Sequence, residues 1–289
     1  MSSKKKLART LGTDARELDL VLNRLSRFYR PKKVPKKDGT FRTLFIPEGR
    51  LKEIQRSIKR AIFSNLNWPL PVQGGIKGRS VKSNAAYHVG KPLVIAMDVK
   101  DFFPSVTTRK VFSIFARLGA SAEVAGILTK LTTWNGQLPQ GAPTSTDLAN
   151  LALARVDMRI AGFCRQHGFA YSRYVDDTTV SGAMKLRKFK NLLPRIIEEE
   201  GFLVKAEKTE IMPRGTRQLV TKVVVNEGTN LPREKRQQLR LEAIKQDSAK
   251  LSPSLKGQIN WLRYLNSEAA DNILRRARKA RRDDEKGSC

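Results

Sequence analysis

Residues 170–181 of this chain read Ala-Tyr-Ser-Arg-Tyr-Val-Asp-Asp-Thr-Thr-Val-Ser, and this stretch decides the fold. The β-prone residues predict two strands, Ala170–Tyr174 and Thr178–Ser181. The turn between them carries Asp176 and Asp177. Adjacent carboxylates repel each other, so a tight turn that presents both needs a cation to offset the repulsion. Taken alone, the pair would also fit an ordinary surface turn.

A second acidic site lies upstream, where the apolar stretch Leu93–Met97 ends at Asp98. The stretch predicts a buried strand with a carboxylate at its end. A carboxylate at a strand end beside an acidic hairpin is typical of a site for two Mg²⁺ ions, for which Mn²⁺ is a possible substitute. Asp101 fits a cap or a surface acid and is not counted among the ligands.

The composition indicates a polyanionic partner. The chain has 289 residues, with 56 Lys and Arg against 27 Asp and Glu, which gives a formal net charge of +29. Such an excess is typical of proteins that bind nucleic acid or an anionic membrane surface. No secretory signal or membrane-spanning stretch is evident, so we expect a cytoplasmic protein without a membrane partner. Cys164 and Cys289 are too far apart in sequence for zinc or redox spacing.

The remaining pattern predicts a hairpin and many helices. Val34–Pro47 indicates a β-hairpin with its turn at Asp38-Gly39, and 219–226 is β-like. The predicted helices are Asp14–Arg30 (ended by Pro31), Leu51–Leu66, Thr108–Leu118, Ala122–Leu131, Ser145–Gln166, Phe189–Glu200, Arg233–Lys250, Ser254–Leu265 and Glu268–Arg282.

In their order and spacing, these motifs resemble the reverse transcriptases. Tyr174-Val175-Asp176-Asp177 resembles their Tyr-X-Asp-Asp box, and Asp98–Phe103 resembles their first catalytic box. Leu138–Leu151 is similar to the box between these two, and Gly201-Phe202…Lys208-Thr209 is similar to the box that follows them. The combination covers residues 34–212 and is highly specific.

Two further features resemble the bacterial retron branch of that family. Asn84-Ala85-Ala86-Tyr87-His88 fits the retron Asn-Ala-X-X-His signature. Val220-Thr221-Lys222 stands where retron enzymes usually carry Val-Thr-Gly, so the third residue departs from the pattern. The segment Lys256–Tyr264 is also similar to the retron C-terminal region.

The resemblance implies an α+β fold of the right-handed polymerase type, with fingers, palm and thumb. The palm is expected to be a small antiparallel sheet backed by helices, with the acidic hairpin at its centre. The expected boundaries are an N-terminal region with fingers at 1–91, a palm at 92–212 and a basic helical thumb at 213–289. Parts of the fingers are expected to interleave near 105–140.

By the same resemblance, Asp98, Asp176 and Asp177 are the catalytic ligands of the two Mg²⁺ ions, assisted by the Val99 carbonyl. The ions would lower the pKa of the primer hydroxyl and neutralise charge on the triphosphate. Lys208 resembles the lysine that protonates the leaving pyrophosphate. A simple surface lysine remains an equal reading of Lys208.

The resemblance also implies contacts to the incoming deoxynucleotide. Lys36, Lys37 and Arg42 lie on the early hairpin that would close over the triphosphate; Arg42 suits bidentate contacts, and which lysine contributes stays open. Phe103 stands where the family places its steric gate against a 2′-hydroxyl, or is a core residue. The remaining two candidates are Gln140, at the incoming nucleotide, and Gly141, which would permit close backbone approach.

A last group of residues is predicted to contact template, primer or RNA. The candidates are Lys77, Arg79, Asn84, His88, Thr221, Lys222 and Arg263. As a lone histidine, His88 also fits a structural role. The aromatic residues beside Arg263 could clamp a strand, although Trp261 fits better as a helix core residue.

The function implied is that of a retron RNA-directed DNA polymerase. Its partners would be dNTPs, a cognate structured non-coding RNA that is copied into branched multicopy single-stranded DNA, the resulting RNA–DNA hybrid, and an accessory effector protein in antiphage defence. The alternatives are an intron-type, diversity-generating or abortive-infection reverse transcriptase. A non-catalytic RNA-binding protein should have lost its metal carboxylates, and Phe103 argues against an RNA-templated RNA polymerase.

Overall fold

The computed structural model describes residues 2–35, 39–246 and 251–287, and its N-terminal part is helical apart from one hairpin. The elements are α1 (Lys4–Thr10), α2 (Ala15–Asn23), a 3₁₀ helix (Leu25–Phe28), β1 (Tyr29–Pro35), β2 (Phe41–Pro47), α3 (Gly49–Ile58), a π-helical turn (Lys59–Phe63) and α4 (Val81–Ala86). The predicted hairpin is present, with β1 and β2 antiparallel from Tyr29–Pro47 to Pro35–Phe41. Its predicted turn residue Asp38 lies outside the described residues.

The prediction of one helix over Asp14–Arg30 was wrong. Asp14 caps the start of α2 through its side chain, which accepts from the amides of Arg16 and Glu17, but the helix ends at Asn23. Pro31 does not end a helix, because it lies inside β1 opposite Phe45. Pairing with β2 therefore overrides the helical spacing of the leucines that precede it.

The centre of the molecule is a four-stranded antiparallel sheet in the order β4-β5-β3-β6. Its elements, with the helices between them, are β3 (Leu93–Asp98), α5 (Phe102–Ser105), α6 (Thr108–Arg117), α7 (Ala122–Thr132), α8 (Ser145–Ala152), α9 (Ala154–His167), β4 (Ala170–Tyr174), β5 (Asp177–Gly182), α10 (Leu192–Glu199) and β6 (Glu210–Pro213). The buried strand residues Leu93 and Ile95 share one hydrophobic core with these helices. The small antiparallel sheet backed by helices is as predicted.

Two helix predictions in this part need correction. Ser145–Gln166 is not one helix, because it breaks at the buried Leu153 into α8 and α9. A continuous helix would hold Asn150 and Asp157 about 10.5 Å apart along its axis, whereas across the break both side chains reach the guanidinium of Arg173. The predicted helix at 189–200 begins later, at Leu192 in α10, after a separate 3₁₀ helix over Met184–Phe189.

The C-terminal part is a short hairpin followed by three helices with a hydrophobic core of their own. The elements are β7 (Leu219–Val220), β8 (Val223–Val224), α11 (Arg233–Lys245), α12 (Pro253–Leu265) and α13 (Ser267–Gly287). We call residues 219–246 and 251–287 the C-terminal region. No helix in the described ranges is long and apolar enough to cross a membrane. The boundaries predicted for fingers, palm and thumb stay predictions.

Candidate active site

The predicted acidic residues lie together at one end of the central sheet. Asp98 of β3 and Asp177 of β5 are direct cross-strand partners. Asp176 comes just before Asp177, in the turn that follows Tyr174 of β4. The carbonyl of Asp176 accepts a hydrogen bond of 3.3 Å from the amide of Val99. The hairpin and the strand end thus form one acidic site, as the sequence predicted.

Two of these carboxyl groups have pKa values above the ordinary value for aspartate. Burial is the main cause for Asp176, and the charge on Asp98 adds to it. Burial also raises the pKa of Asp177 to about 6, together with the charges on Asp176 and Asp98. Because crowded carboxylates resist ionisation, this site gains stability from a bound cation.

The positive charge beside Asp98 comes from two lysines near the 3₁₀ helix Ala206–Lys208. Lys205 Nζ lies 2.9 Å from Asp98 Oδ2, and Lys208 Nζ lies 3.7 Å from the same oxygen. Lys208 was predicted to act here and Lys205 was not, although both lie in the same family box, three residues apart. The structure therefore offers two candidate proton donors at this place.

The donor set fits the predicted metal, although the described residues contain no ready-made metal cage of three or more His, Cys, Asp or Glu side chains. Carboxylate oxygens are the ligands that Mg²⁺ prefers. Asp98 and Asp177 supply such oxygens from two adjacent strands, and Asp176 supplies them from the turn. The ion pair with Lys205 would have to open for Asp98 to bind a metal. The number and position of the ions stay predictions.

A buried arginine supports the turn that carries the acids. Arg173 is fully buried, and its guanidinium donates to the Val175 carbonyl at 2.6 Å and to the Asn150 side chain at 2.9 Å. It also forms two hydrogen bonds, of 2.7 and 2.8 Å, with the buried carboxylate of Asp157. Val175 has a φ of +60°, which is strained for a β-branched residue, so the turn depends on such an anchor.

The loop before α4 packs directly against the same turn. Val72 forms a parallel bridge with Arg173, and the Gln73 amide donates to the Arg173 carbonyl at 2.7 Å. A Cβ on Gly74 would lie 2.4 Å from the backbone nitrogen of Val175. Glycine is therefore required for this close approach. No local signal in the sequence distinguishes Gly74 from the other glycines of this loop, because its partner Val175 is about a hundred positions away.

A cavity of about 440 Å³ adjoins the acids. Arg42, Gln140 and Lys208 line it together with Asp176. Two of the predicted nucleotide contacts, Arg42 and Gln140, therefore face the acidic site. Gly141, next to Gln140, has a φ of +102°, a left-handed conformation that favours glycine, and a Cβ there would lie 3.3 Å from a side chain of β2.

The remaining predicted nucleotide contacts are Lys36, Lys37 and Phe103. The two lysines lie outside the described residues. Phe103 is half-buried, and its ring packs on Phe102 with the centroids 5.7 Å apart. Phe102 and Pro104, rather than Phe103, line the cavity. This packing fits the core role that the sequence left open, and the steric gate stays a prediction.

Asn84 and His88 are both buried, which argues against the contacts with nucleic acid that were predicted for them. His88 Nε2 lies 2.7 Å from the Ser172 hydroxyl, and His88 Nδ1 lies 2.7 Å from the Ser181 hydroxyl. The Ser172 hydroxyl donates to Asn84 Oδ1 at 2.8 Å. Because the hydroxyl proton of Ser172 is used in that bond, Nε2 of His88 carries the ring proton and donates to Ser172. Nδ1 of His88 then has no proton and accepts a hydrogen bond from Ser181. This network therefore supports a structural role for His88, which is one of the two roles that the sequence left open.

Thr221 and Lys222 form the turn between β7 and β8. Both have left-handed backbones, with φ of +50° and +66°, as a two-residue hairpin turn requires. Glycine adopts this conformation easily, which gives a physical reason for the usual glycine at the third position of Val-Thr-Gly. Thr221 accepts a hydrogen bond of 2.6 Å from the side-chain amide of Asn84. Lys222 is exposed, and its positive charge offsets part of the rise in the pKa of Asp177.

A larger cavity, of about 1020 Å³, lies between α3 and the loop before α4 and contains Lys77 and Arg79. Most of its charged lining is basic: Arg50, Arg56, Lys59 and Arg60 join these two. The guanidinium of Arg79 is already used, because it donates to the carbonyls of Trp68 at 2.8 Å, Pro69 at 2.5 Å and Val72. Arg79 thus holds the loop together, whereas Lys77 is exposed and stays the candidate for a template phosphate.

The predicted core position of Trp261 was wrong. Its side chain is 41% exposed and stacks on Tyr264, with the ring centroids 5.6 Å apart. The Tyr264 hydroxyl donates to the Ser80 side chain at 2.7 Å, which joins α12 to the start of α4. Arg263, the predicted contact, forms a surface ion pair of 3.0 Å with Asp271.

The chain was compared with known protein families and sequences. The family described as reverse transcriptase (RNA-dependent DNA polymerase) matches residues 34–245. The retron Mx65 reverse transcriptase of Myxococcus xanthus is 39% identical over 274 residues, which are 86% of this chain and 64% of that protein. The retron Ec86 reverse transcriptase of Escherichia coli is 37% identical over 212 residues, 72% of this chain and 66% of that protein. The chain thus spans just under two thirds of these relatives, and the predicted retron resemblance is confirmed.

Solved structures show the fold. Telomerase from Candida albicans, in complex with the TWJ fragment of telomeric RNA, matches with a TM-score of 0.53 at 10% identity, over 86% of this chain and 54% of that one. At this identity the likeness bears on fold alone. It confirms the predicted α+β fold of the right-handed polymerase type.

Proposed function

Because the chain belongs to the reverse transcriptase family, we propose that it is an RNA-directed DNA polymerase of the retron kind. One observation carries the proposal: Asp98 and Asp177 are cross-strand partners, with Asp176 in the adjoining turn, beside a cavity that Arg42 and Gln140 also line. A carboxylate cluster next to nucleotide-binding side chains is the arrangement that nucleotidyl transfer needs.

Asp98, Asp176 and Asp177 would hold two Mg²⁺ ions, with the Val99 carbonyl beside them. When bound, the ions would lower the pKa of the attacking hydroxyl and stabilise charge on the leaving pyrophosphate. The protein's own contribution is to fix the carboxylates. Arg173 does this by holding the Val175 carbonyl in a turn that would otherwise be strained.

The cavity would take the triphosphate of the incoming deoxynucleotide. Arg42 would bind phosphate oxygens with its planar fork, and Gln140 would contact the nucleotide. Lys208 is exposed and lies near Asp98, so it would deliver a proton to the leaving pyrophosphate. Lys205 is the neighbouring alternative, since its ammonium lies closer to Asp98.

The template would be a cognate structured non-coding RNA, which the enzyme would copy in part into branched multicopy single-stranded DNA. The formal net charge of +29 supports a polyanionic partner. By the retron resemblance, synthesis would start from the 2′-hydroxyl of an internal guanosine. The biological role would be antiphage defence in the bacterial cytoplasm, with an accessory effector protein.

The test is to express the chain with its neighbouring non-coding DNA and to analyse the bound nucleic acid with RNase and debranching enzyme. The Asp176→Ala/Asp177→Ala double variant is the control. We expect a discrete single-stranded DNA, made only by the unmodified protein, whose mobility changes on debranching. Activity limited to an added primer–template would move the chain to another reverse transcriptase branch. Bound RNA without DNA from either source would contradict the polymerase proposal.

A further inference from the structure

Lys205 is tied to the end of β3 through its backbone as well as through its side chain. Its amide donates to the Asp98 carbonyl at 2.9 Å, and the preceding residue, Val204, forms an antiparallel bridge with Val99. These contacts keep the Cα atom of Lys205 beside Asp98. A change in the position of its ammonium therefore needs only rotations within the side chain.

The ammonium of Lys205 holds a carboxylate oxygen that a metal ion would use. Nζ donates to Asp98 Oδ2 at 2.9 Å, and the two side chains are each 21% exposed. The charge of Lys205 also offsets part of the rise in the pKa of Asp176 and of Asp177. One ammonium thus serves as a counter-charge for all three carboxylates. A cation this close to a carboxylate weakens the binding of a second cation, because the two cations repel each other.

The cavity beside the acids offers the same ammonium a second position. Lys205 lines this cavity of about 440 Å³ together with Arg42 and Gln140, the two residues that we propose as contacts of the incoming nucleotide. A lysine side chain has a flexible four-carbon stem, and its ammonium binds phosphate as a point charge. Lys205 therefore borders both the carboxylate of Asp98 and the space proposed for the phosphates.

We propose that Lys205 competes with a divalent metal ion for Asp98, and that its ammonium turns into the cavity to bind the triphosphate of the incoming nucleotide when the metal takes its place. Metal and nucleotide then bind cooperatively. The metal alone has to displace the ammonium, whereas the nucleotide gives the displaced ammonium a new partner. The triphosphate part rests on the proposed function, and the competition with the metal rests on the ion pair itself.

The first arm of the test measures Mn²⁺ affinity of the chain alone by electron paramagnetic resonance. Loss of binding in Asp177→Asn assigns the signal to the acidic site. Lys205→Met should bind Mn²⁺ about three- to tenfold more tightly than the unmodified protein, because Asp98 is then free. The matched control is Lys208→Met, which removes an equal charge 3.7 Å from the same oxygen, but from a side chain that is 59% exposed. It should gain less than about twofold. Equal gains in the two variants, or no gain in Lys205→Met, would overturn the proposal.

The second arm measures dTTP affinity on an RNA template whose primer ends in a dideoxynucleotide, so that dTTP binds without reacting. In the unmodified protein dTTP should tighten Mn²⁺ binding, and Lys205→Met should weaken dTTP binding by about three- to tenfold. Unchanged dTTP affinity in the variant would overturn the transfer to the triphosphate.

The two arms separate this proposal from the proposed function. If the unmodified protein binds no dTTP at all, the proposed function and the triphosphate part both fail, and the Mn²⁺ arm still decides the competition for Asp98. Lys205→Gln replaces Lys205→Met if that variant does not fold, and the same outcomes apply to it.

Discussion

The acidic turn and a groove between α11 and α13, which is lined by Arg233, Arg236, Arg240 and Arg276, both concentrate charges of one sign, but their surroundings differ. Around the acids the protein builds a support: Lys205 pairs with Asp98, and the buried Arg173 holds the turn in place. In the groove the arginines have no carboxylate among their lining residues. A like-charge cluster inside the protein needs partners from the fold itself, whereas one on the surface can be left for a ligand to complete.

The largest expected effect comes from removing one charge at the acidic turn by Asp177→Asn. We expect primer extension to fall by about a thousandfold or more, since metal-assisted charge stabilisation is worth several kcal/mol. Without divalent metal, the free energy of unfolding at pH 7 should rise by about 1–3 kcal/mol, because the raised pKa of Asp177 marks a destabilising charge. Primer extension and urea unfolding in a chelator check both effects.

Asp101→Asn is the control for that variant, because Asp101 lies in the first catalytic box, three residues after Asp98, but outside the predicted ligand set. It should keep most of the activity. Equal activity of Asp177→Asn and the unmodified protein would contradict the assignment of the metal ligands.

The next effect concerns the support beneath the turn. Arg173→Met leaves the carboxylate of Asp157 buried without its partner, so the free energy of unfolding should fall by about 3–5 kcal/mol. Adding Asp157→Leu should recover only part of that loss, because the buried Tyr171 hydroxyl then loses its acceptor and the Val175 carbonyl stays without its donor. Urea unfolding checks both variants. Arg155→Met, which removes an exposed arginine from the same helix as Asp157, should cost less than about 1 kcal/mol; an equal cost would show that the buried pair has no special role.

The next effect is smaller and concerns the pH dependence of the free energy of unfolding, to which His88 contributes. Burial lowers the pKa of His88 to about 3, assisted by the charge of Lys91. The unfolded chain therefore binds a proton that the folded chain does not, and stability should fall by up to about 1.4 kcal/mol per pH unit from about pH 6.5 downwards. His88→Gln should flatten this slope in urea unfolding at several pH values. The control is His167→Gln, which removes the other histidine of the chain; an equal flattening there would contradict the assignment to His88.

The smallest effect belongs to Lys222, whose left-handed backbone costs about 1–2 kcal/mol. Lys222→Gly relieves that strain but adds about 0.5–1 kcal/mol of chain entropy to the unfolded state. The free energy of unfolding should therefore rise by about 0–1.5 kcal/mol. The pKa of Asp177 should rise as well, since a nearby positive charge is lost. Urea unfolding and NMR titration of the carboxyl group check the two effects, and a clear loss of stability would contradict the strain argument.

The sequence predicted the acidic site because its signals are local. A β-prone stretch with two aspartates at its turn and an apolar strand that ends in Asp98 specify the hairpin and its neighbour, and pairing then joins Asp98 to Asp177. The C-terminal helices follow from helical periodicity in the same way. The long helix over Ser145–Gln166 failed because its break at Leu153 serves contacts to Arg173, which periodicity does not contain.

The supporting residues could not be predicted because their partners are distant in sequence. Arg173 meets Asn150 and Asp157, which lie 23 and 16 positions away. Gly74 is constrained by Val175, about a hundred residues further on. Composition marks such residues only as an arginine or a loop glycine. Their roles depend on how the sheet, α8, α9 and the loop before α4 meet in space.

The turn between β7 and β8 is connected to the hairpin that carries Asp176 and Asp177 by a series of short hydrogen bonds. Thr221 is hydrogen-bonded to Asn84, and Asn84 is hydrogen-bonded to Ser172. His88 then joins Ser172 to Ser181 through its two ring nitrogens. Ser172 and Ser181 lie on the two strands that flank the acidic turn. A displacement of the turn between β7 and β8 would therefore be passed to both strands of the acidic hairpin through five side chains, four of which are buried.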